Sequence, residues 1–188
     1  MPAHLVLEQF PSTMEQLSQY DVVMISDVGA NTFYLHPQTF NNTRRTPNRL
    51  ALLWEYVKEG GALGMFGGYM SFQGIEGKGK WAGSEIEECL PVNFSYYDDR
   101  AEHPEGICLQ IDQNAHPILQ EFPTQSPPLL GYNVAIAKPE AQVLIQYQGD
   151  PMLCLMEYGK GCTFTWSSDC APHWMPEEFC NWEYNSLL

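Results

Sequence analysis

Gly61-Ala62-Leu63-Gly64-Met65-Phe66-Gly67-Gly68-Tyr69-Met70-Ser71-Phe72-Gln73-Gly74 is the stretch from which the fold is read. A short apolar run between glycines, placed after a helical pattern, predicts a buried parallel strand, and the glycines beyond it permit a sharp strand-to-helix turn. In an open α/β sheet that turn lies at the carboxyl edge, where ligands bind. The expectation is an α/β fold with a site on residues 67–74 and the loops beside them.

Working upstream, Thr46-Pro47 predicts a helix opened by a cap and an N1 proline. Leu50, Leu53, Trp54 and Val57 recur at helical spacing until Gly60-Gly61 stops it. Tyr20-Asp21-Val22-Val23-Met24-Ile25-Ser26-Asp27 reads as another buried strand. The two strands and the helix between them form a crossover that predicts parallel pairing. Asp27 closes the first strand, as a loop cap or as a site residue, and Val28-Gly29-Ala30-Asn31-Thr32 reads as a polar loop. Ser12 or Thr13 can cap a short helix before that strand, with Glu15 at the N3 position of a Ser12 cap. Residues 33–46 read as irregular, and their Arg44-Arg45 pair is either solvated or an anion clamp or subunit contact.

Downstream, residues 75–81 read as a loop over the strand tips and residues 84–90 as a short helix ended by Pro91. Strands are expected at 92–97, 106–111, 129–137 and 141–147. A hairpin follows, with strands at 152–158 and 162–169 about a Gly159-Lys160-Gly161 turn. It leads into Ser167-Ser168-Asp169-Cys170-Ala171-Pro172-His173-Trp174, which sets an Asp and a His four residues apart at a strand end. A His on a loop is commonly a structural residue, but this one follows the last strand, near where the central elbow should lie.

The 188 residues suffice for one domain with a sizeable core, and 44% apolar with 13% aromatic content suits a packed globule. Nine Lys and Arg against 23 Asp and Glu give a net charge of −14, which argues against nucleic acid and anionic membrane surfaces as partners. No run approaches the roughly 18 apolar residues of a membrane helix, and Met1-Pro2-Ala3-His4 does not open a signal peptide. A cytoplasmic protein is expected. Cys89, Cys108, Cys154, Cys162, Cys170 and Cys180 lack zinc-site spacing and read as reduced, mostly buried thiols.

Several blocks in order carry a resemblance: Ser26-Asp27-Val28-Gly29-Ala30-Asn31-Thr32, Arg45-Thr46-Pro47-Asn48-Arg49-Leu50, Gly67-Gly68-Tyr69-Met70-Ser71-Phe72-Gln73-Gly74, Pro128-Leu129-Leu130-Gly131-Tyr132-Asn133, Glu157-Tyr158-Gly159-Lys160-Gly161 and Ser168-Asp169-Cys170-Ala171-Pro172-His173-Trp174. Together they resemble the putative glutamine amidotransferase family, bacterial proteins with a class I glutamine amidotransferase-like fold. The resemblance covers nearly the whole chain. It implies a flavodoxin-like three-layer α/β sandwich with a mainly parallel central sheet and a strand-rich insertion at 92–147. It also implies a strand-helix unit ahead of Met1 and a last helix after Leu188, so this chain is expected to lack the first unit.

Glutaminases of that fold place a Cys on the elbow, with a His and Glu near the C-terminus; the thiolate attacks the amide and elbow N–H groups stabilise the oxyanion. Here Gly64-Met65-Phe66-Gly67-Gly68 matches the elbow, so Phe66 stands at the nucleophile position. A phenyl ring cannot attack a carbonyl. One expectation is a noncatalytic small-molecule-binding or assembly module, with ligand contacts from Asp27, Asn31, Thr32, Gly68, Tyr69 and Gln73 and a pocket lined by Tyr69, Phe72 or Trp174. The alternative is a hydrolase in which Ser71 or a bound water attacks, His173 is the base and Asp169 or Asp27 orients it. A metal-assisted variant on Asp27, Asp169 and His173 and a loop-capping role are the remaining readings, and no cofactor is expected. Trp174, Phe179 and Trp182 suggest a homo-oligomer interface.

Overall fold

The computed structural model describes residues 1–185. Its main sheet runs in the order β1 (Val22–Ser26), β2 (Ala62–Phe66), β9 (Gly161–Trp166), β8 (Asp150–Tyr158), β7 (Gln142–Tyr147). β1, β2 and β9 are parallel, and the hairpin through β8 and β7 continues the sheet antiparallel. The sheet is therefore evenly mixed rather than mainly parallel. A tight turn at 159–160 forces antiparallel pairing, whereas the crossover through α5 (Arg49–Lys58) delivers β2 parallel to β1. β1 and β2 pair directly with each other in register, Val22 on Ala62 through Ser26 on Phe66.

The helix before β2 begins two residues later than Thr46-Pro47 predicts. Asn48 is its N-cap, with Oδ1 accepting from the N–H groups of Leu50 and Ala51 at 3.0 and 3.1 Å, while the Thr46 hydroxyl bonds that of Thr39. Near the N-terminus, α1 (Ala3–Gln9) precedes α2 (Met14–Leu17), which Thr13 caps by accepting from Gln16 N–H. Residues 33–46 are not irregular. They hold the second half of α3 (Asn31–Tyr34) and all of α4 (Pro37–Asn42), the latter capped by the His36 ring with Pro37 at N1. Arg44 and Arg45 are exposed.

α6 (Glu85–Cys89) leads to β3 (Val92–Asn93), much shorter than the expected 92–97. The next strand, β4 (Arg100–Gln110), begins earlier than expected and pairs antiparallel with β5 (Gln125–Asn133). The run 129–137 is broken after Asn133, and β6 (Ile136–Ala137) turns to pair with β3. Because β7 belongs to the main sheet, the inserted part is these two small ribbons and stops before 142.

Two apolar clusters flank the sheet. Ile25, Leu63 and Met65 pack on Leu50, Leu53 and Val57 of α5. On the other side Leu153 and Trp166 pack on Ile107 and Leu129 of the β4–β5 ribbon and on Phe179 of α7 (Glu177–Cys180). That second cover stops short of β1, whose Met24 is 62% exposed. Trp174 and Phe179, expected at a subunit interface, are instead buried within the chain at 1% and 0% exposure. The six cysteines are free, Cys89 and Cys154 buried but Cys162 and Cys170 exposed.

Arg49 opens α5 and is fully buried, with no carboxylate partner among the described residues. Its guanidinium instead donates to the carbonyls of Val6, Leu7, Thr32 and Phe33 at 2.8–3.1 Å. It thereby gathers the carboxyl ends of α1 and α3 onto α5, and burial draws its pKa below the usual guanidinium value. Removing the donors would leave several carbonyls unsatisfied. Arg49→Met is expected to cost about 3 kcal/mol in urea unfolding and to expose residues 3–9 to proteolysis. An unchanged midpoint would contradict the role.

Candidate functional site

The three parallel strands end side by side, and the loops after β1, β2 and β9 meet at that edge. They carry Asp27, residues 67–74 and residues 167–174. Asp27 has a left-handed backbone, φ 50°, which lets its own N–H and its side chain both face the elbow. The N–H donates to Ser71 Oγ at 2.8 Å, and Asp27 Oδ1 accepts from Met70 N–H at 2.7 Å. A Cβ on Gly68 would stand 2.9 Å from Asp27 Oδ1, so this approach needs glycine there.

Tyr69 is the aromatic that faces the edge. The His173 ring meets it edge to face at a centroid distance of 3.9 Å, and the Arg100 guanidinium lies over it at 4.5 Å. Tyr69 O–H and Trp174 Nε1–H donate to the two oxygens of Glu102 at 3.2 and 2.9 Å. Arg100 is held by Asp98 through Nε and Nη2, which keeps the Asp98 carboxyl down at about 2 and raises the guanidinium. Phe72 and Trp174, expected to line a pocket, are buried beneath this surface instead.

Asp169 is buried and accepts from Cys170 N–H at 2.8 Å through Oδ1, while Oδ2 lies 3.1 Å from His173 Nδ1. A carboxylate only accepts, so Nδ1 carries the proton and Nε2 of the half-buried ring is left as the free nitrogen. Burial raises the Asp169 pKa; the His173 and Cys170 hydrogen bonds oppose the rise and the Asp27 charge adds to it. Cys170 Sγ sits 3.0 Å from Ser26 Oγ on the same rim.

Asp27, Gly68, Tyr69, Asp169 and His173 thus share one edge. Ser71 lies under it, fully buried, its Oγ occupied by Asp27 N–H and without a hydrogen bond to His173. Gln73 turns away: its amide donates to Tyr96 O and accepts from Ala82 N–H. Asn31 and Thr32 form the first turn of α3, where Thr32 O receives Arg49. Among the described residues no group of three or more His, Cys, Asp or Glu is arranged to hold a metal.

Asp99, Arg100, Glu102 and Asn133, which were not among the expected site residues, come from the inserted ribbon. Asn133 Oδ1 accepts from Gly68 N–H at 2.8 Å, and its Nδ2 donates to Asp99 Oδ1 at 2.8 Å. Asp99 also accepts from the N–H groups of Gln73 and Gly74, both at 2.8 Å. The one local signal was an amide closing an apolar strand, Leu129-Leu130-Gly131-Tyr132-Asn133. The elbow N–H groups after Phe66 are both taken, Gly67 by Trp166 O at 2.7 Å and Gly68 by Asn133.

A family model described as Putative glutamine amidotransferase matches residues 1–188. The cytoplasmic protein STM1381 of Salmonella typhimurium LT2 is similar in structure, with 46% identity, a TM-score of 0.94, and coverage of 99% of this chain and 76% of that one. The cytoplasmic protein STM3548 of Salmonella typhimurium is 43% identical, with a TM-score of 0.94 over 100% of this chain and 78% of that one. A ThuA-like protein of Bacteroides uniformis ATCC 8492 shares the fold alone, at 15% identity and a TM-score of 0.56 over 94% of this chain and 69% of that one. No functionally curated protein matches the chain. No helix among the described residues is long and apolar enough to cross a membrane.

A carboxyl whose folded pKa is raised contributes stability that is complete below its unfolded value, about 3.9, and is lost as pH rises through the folded value. Asp169 is such a group. The melting temperature of the protein, measured against Asp169→Asn, is therefore expected to compare more favourably near about pH 4 than near about pH 7. A margin that grows toward neutral pH would contradict this.

Proposed function

We propose that this chain, which belongs to the Putative glutamine amidotransferase family, is a noncatalytic small-molecule-binding module, with ligand contacts from Asp27, Tyr69 and His173. The observation that carries this reading is the state of the elbow. Phe66 stands at the nucleophile position, and the Gly67 and Gly68 N–H groups that could hold an oxyanion are bonded internally. Thiol attack on an amide has neither its nucleophile nor its anion site there. What remains is recognition chemistry: the second oxygen of the exposed Asp27, the partly exposed Tyr69 ring and His173 Nε2, which no hydrogen bond engages among the described residues, with Gly68 giving Asp27 room and Ser71 fixing its backbone. Asn31, Thr32 and Gln73 shape the adjoining loops.

A hydrolase is the second reading, favoured by one feature. Asp169 orients His173 as a buried acid orients a general base, so Nε2 could activate a water. Ser71 is poorly suited as nucleophile because its hydroxyl is enclosed. The test is a thermal melt with glutamine, related amides, common metabolites and divalent ions, beside His173→Ala and Ser71→Ala, with product assays on each amide. A ligand shift retained in Ser71→Ala, lost in His173→Ala and unaccompanied by turnover is the expected result. Turnover abolished by His173→Ala would replace this reading with the hydrolase.

We further infer that the fold is flavodoxin-like in its fuller form, with another strand-helix unit against β1. Support comes from the exposed Val22 and Met24 and from an apolar hollow of about 340 Å³ along β1, lined by Val6, Phe10, Leu17 and Phe33. A chain extended by the segment that the Salmonella relatives have in excess is expected to melt higher than residues 1–188 alone. Equal melting would count against the unit. In residues 1–188 alone, where no such unit covers it, the β1 side would instead offer the surface for a homo-oligomer, and the names of the two relatives support a cytoplasmic location.

A further inference from the structure

The two halves of the candidate site come from loops that follow different strands, and Tyr69 and His173 meet only as rings; at the rim the halves are linked by the Ser26 Oγ–Cys170 Sγ contact at 3.0 Å and by the exposed Glu102, which accepts from both Tyr69 O–H and Trp174 Nε1–H. Ring packing alone sets a distance loosely, because an edge-to-face contact tolerates sliding. Beneath the rim contacts a second, buried tie fixes the spacing. The end of β5 is bonded to both loops at once. Toward the loop after β9, Leu130 N–H donates to Trp174 O, Gly131 O accepts from Ser168 Oγ and Asn133 N–H donates to Ser167 O, all at 2.7–2.8 Å. Toward the elbow, the Asn133 side chain holds Gly68 through both its N–H and its carbonyl, and passes through Asp99 to the N–H groups of Gln73 and Gly74.

We propose that Asn133 and Asp99 are positioning residues for the site: a buried carboxamide-carboxylate pair that sets the elbow, and hence Tyr69, at a fixed distance from His173. The proposal rests on the reading of this edge as the ligand site. Asn133 is fully buried and Asp99 nearly so, and between them their side chains make five hydrogen bonds, to the elbow and to each other, at 2.8–3.3 Å. The donor and acceptor pattern is directional. Asn133 must present oxygen to Gly68 N–H and nitrogen to Asp99, while Asp99 must accept from both sides. A Cβ on Gly67 would overlap Ser167 O and stand 2.7 Å from Asn133 Oδ1, so the main chain is pressed directly against this pair.

The test compares Asp99→Asn, Asn133→Asp and the exchanged pair Asp99→Asn/Asn133→Asp by amide hydrogen exchange and by the NMR signals of the His173 imidazole. Each single variant is expected to speed exchange of the Gly68, Gln73 and Gly74 amides by about tenfold, the equivalent of one lost hydrogen bond. It should also move the His173 ring protons, because the Tyr69 ring current over them changes. Strands β1, β2 and β9 should exchange as before. The exchanged pair restores a carboxylate beside a carboxamide and is expected to recover part of both signals, a coupling that independent sites do not show. Variants that lower the melting temperature while leaving His173 and the elbow amides at wild-type values would overturn the proposal, as would additive behaviour in the pair. If Asn133→Asp fails to fold, Asp99→Asn, which keeps volume, decides alone. These readouts need no ligand, so a ligand screen that finds nothing would count against the binding reading and not against this one.

Discussion

A parallel strand that ends in a sharp turn leaves main-chain N–H groups pointing out of the sheet, and something must accept from them. In this chain the acceptors at the end of β2 are internal. Trp166 O and Asn133 Oδ1 take the first two donors, Asp27 Oδ1 takes Met70, and Asp99 takes Gln73 and Gly74. Satisfying these donors within the protein makes the turn rigid. The other features of the edge follow. Asp27 must adopt a left-handed backbone to reach Met70, Gly68 must lack a side chain to admit it, and the inserted ribbon must come close enough to deliver Asn133 and Asp99.

The inserted ribbon is consequently more than decoration. Its inner face supplies apolar cover for β8 and β9 through Ile107 and Leu129, while its ends carry Asp98, Asp99, Arg100, Glu102 and Asn133 to the site. One element thus serves both the core and the edge, so its placement by hydrophobic burial is also the placement of its polar ends. Burial sets the position coarsely, and the directional bonds of Asn133 and Glu102 refine it.

Sequence reading reached the parts of the fold that rest on local pattern. β1, β2, the α5 helix and the final hairpin follow from apolar runs, helical spacing and glycine punctuation, and all four lie close to where those signals put them. It failed where a residue's role depends on distant partners. Arg49 gave no hint of burial, since an arginine at a helix start ordinarily faces water, and its carbonyl partners lie on α1 and α3. The ribbon strands were misjudged for a similar reason: β4 contains His103, Pro104, Glu105 and Gly106, a polar interruption that its pairing with β5 bridges by a shift of register. At the site, Asp27, Tyr69, Asp169 and His173 were legible because they follow strands at the carboxyl edge. Asn133, Asp99 and Glu102 were not, because nothing in their neighbours marks a side chain that will cross to another loop.

The Asp169–His173 pair has a different standing from the elbow. An aspartate that is buried and shares its oxygens between Cys170 N–H and a histidine costs stability through desolvation, and a chain that needed only a loop closure could use a neutral side chain there. The arrangement fixes one tautomer of His173 and leaves Nε2 without a hydrogen bond among the described residues, on a ring that packs against Tyr69. A fixed lone pair next to an aromatic edge and the free oxygen of Asp27 can accept hydrogen bonds from a ligand without any bond being broken. The same lone pair could polarise a water only if a substrate carbonyl were held in front of it, and the groups that would hold the developing oxyanion at the elbow are already bonded. Geometry at the His173 side therefore permits chemistry that the bonded N–H groups at the Gly67–Gly68 side do not assist, and this asymmetry is what supports the proposed reading of the edge as a recognition site.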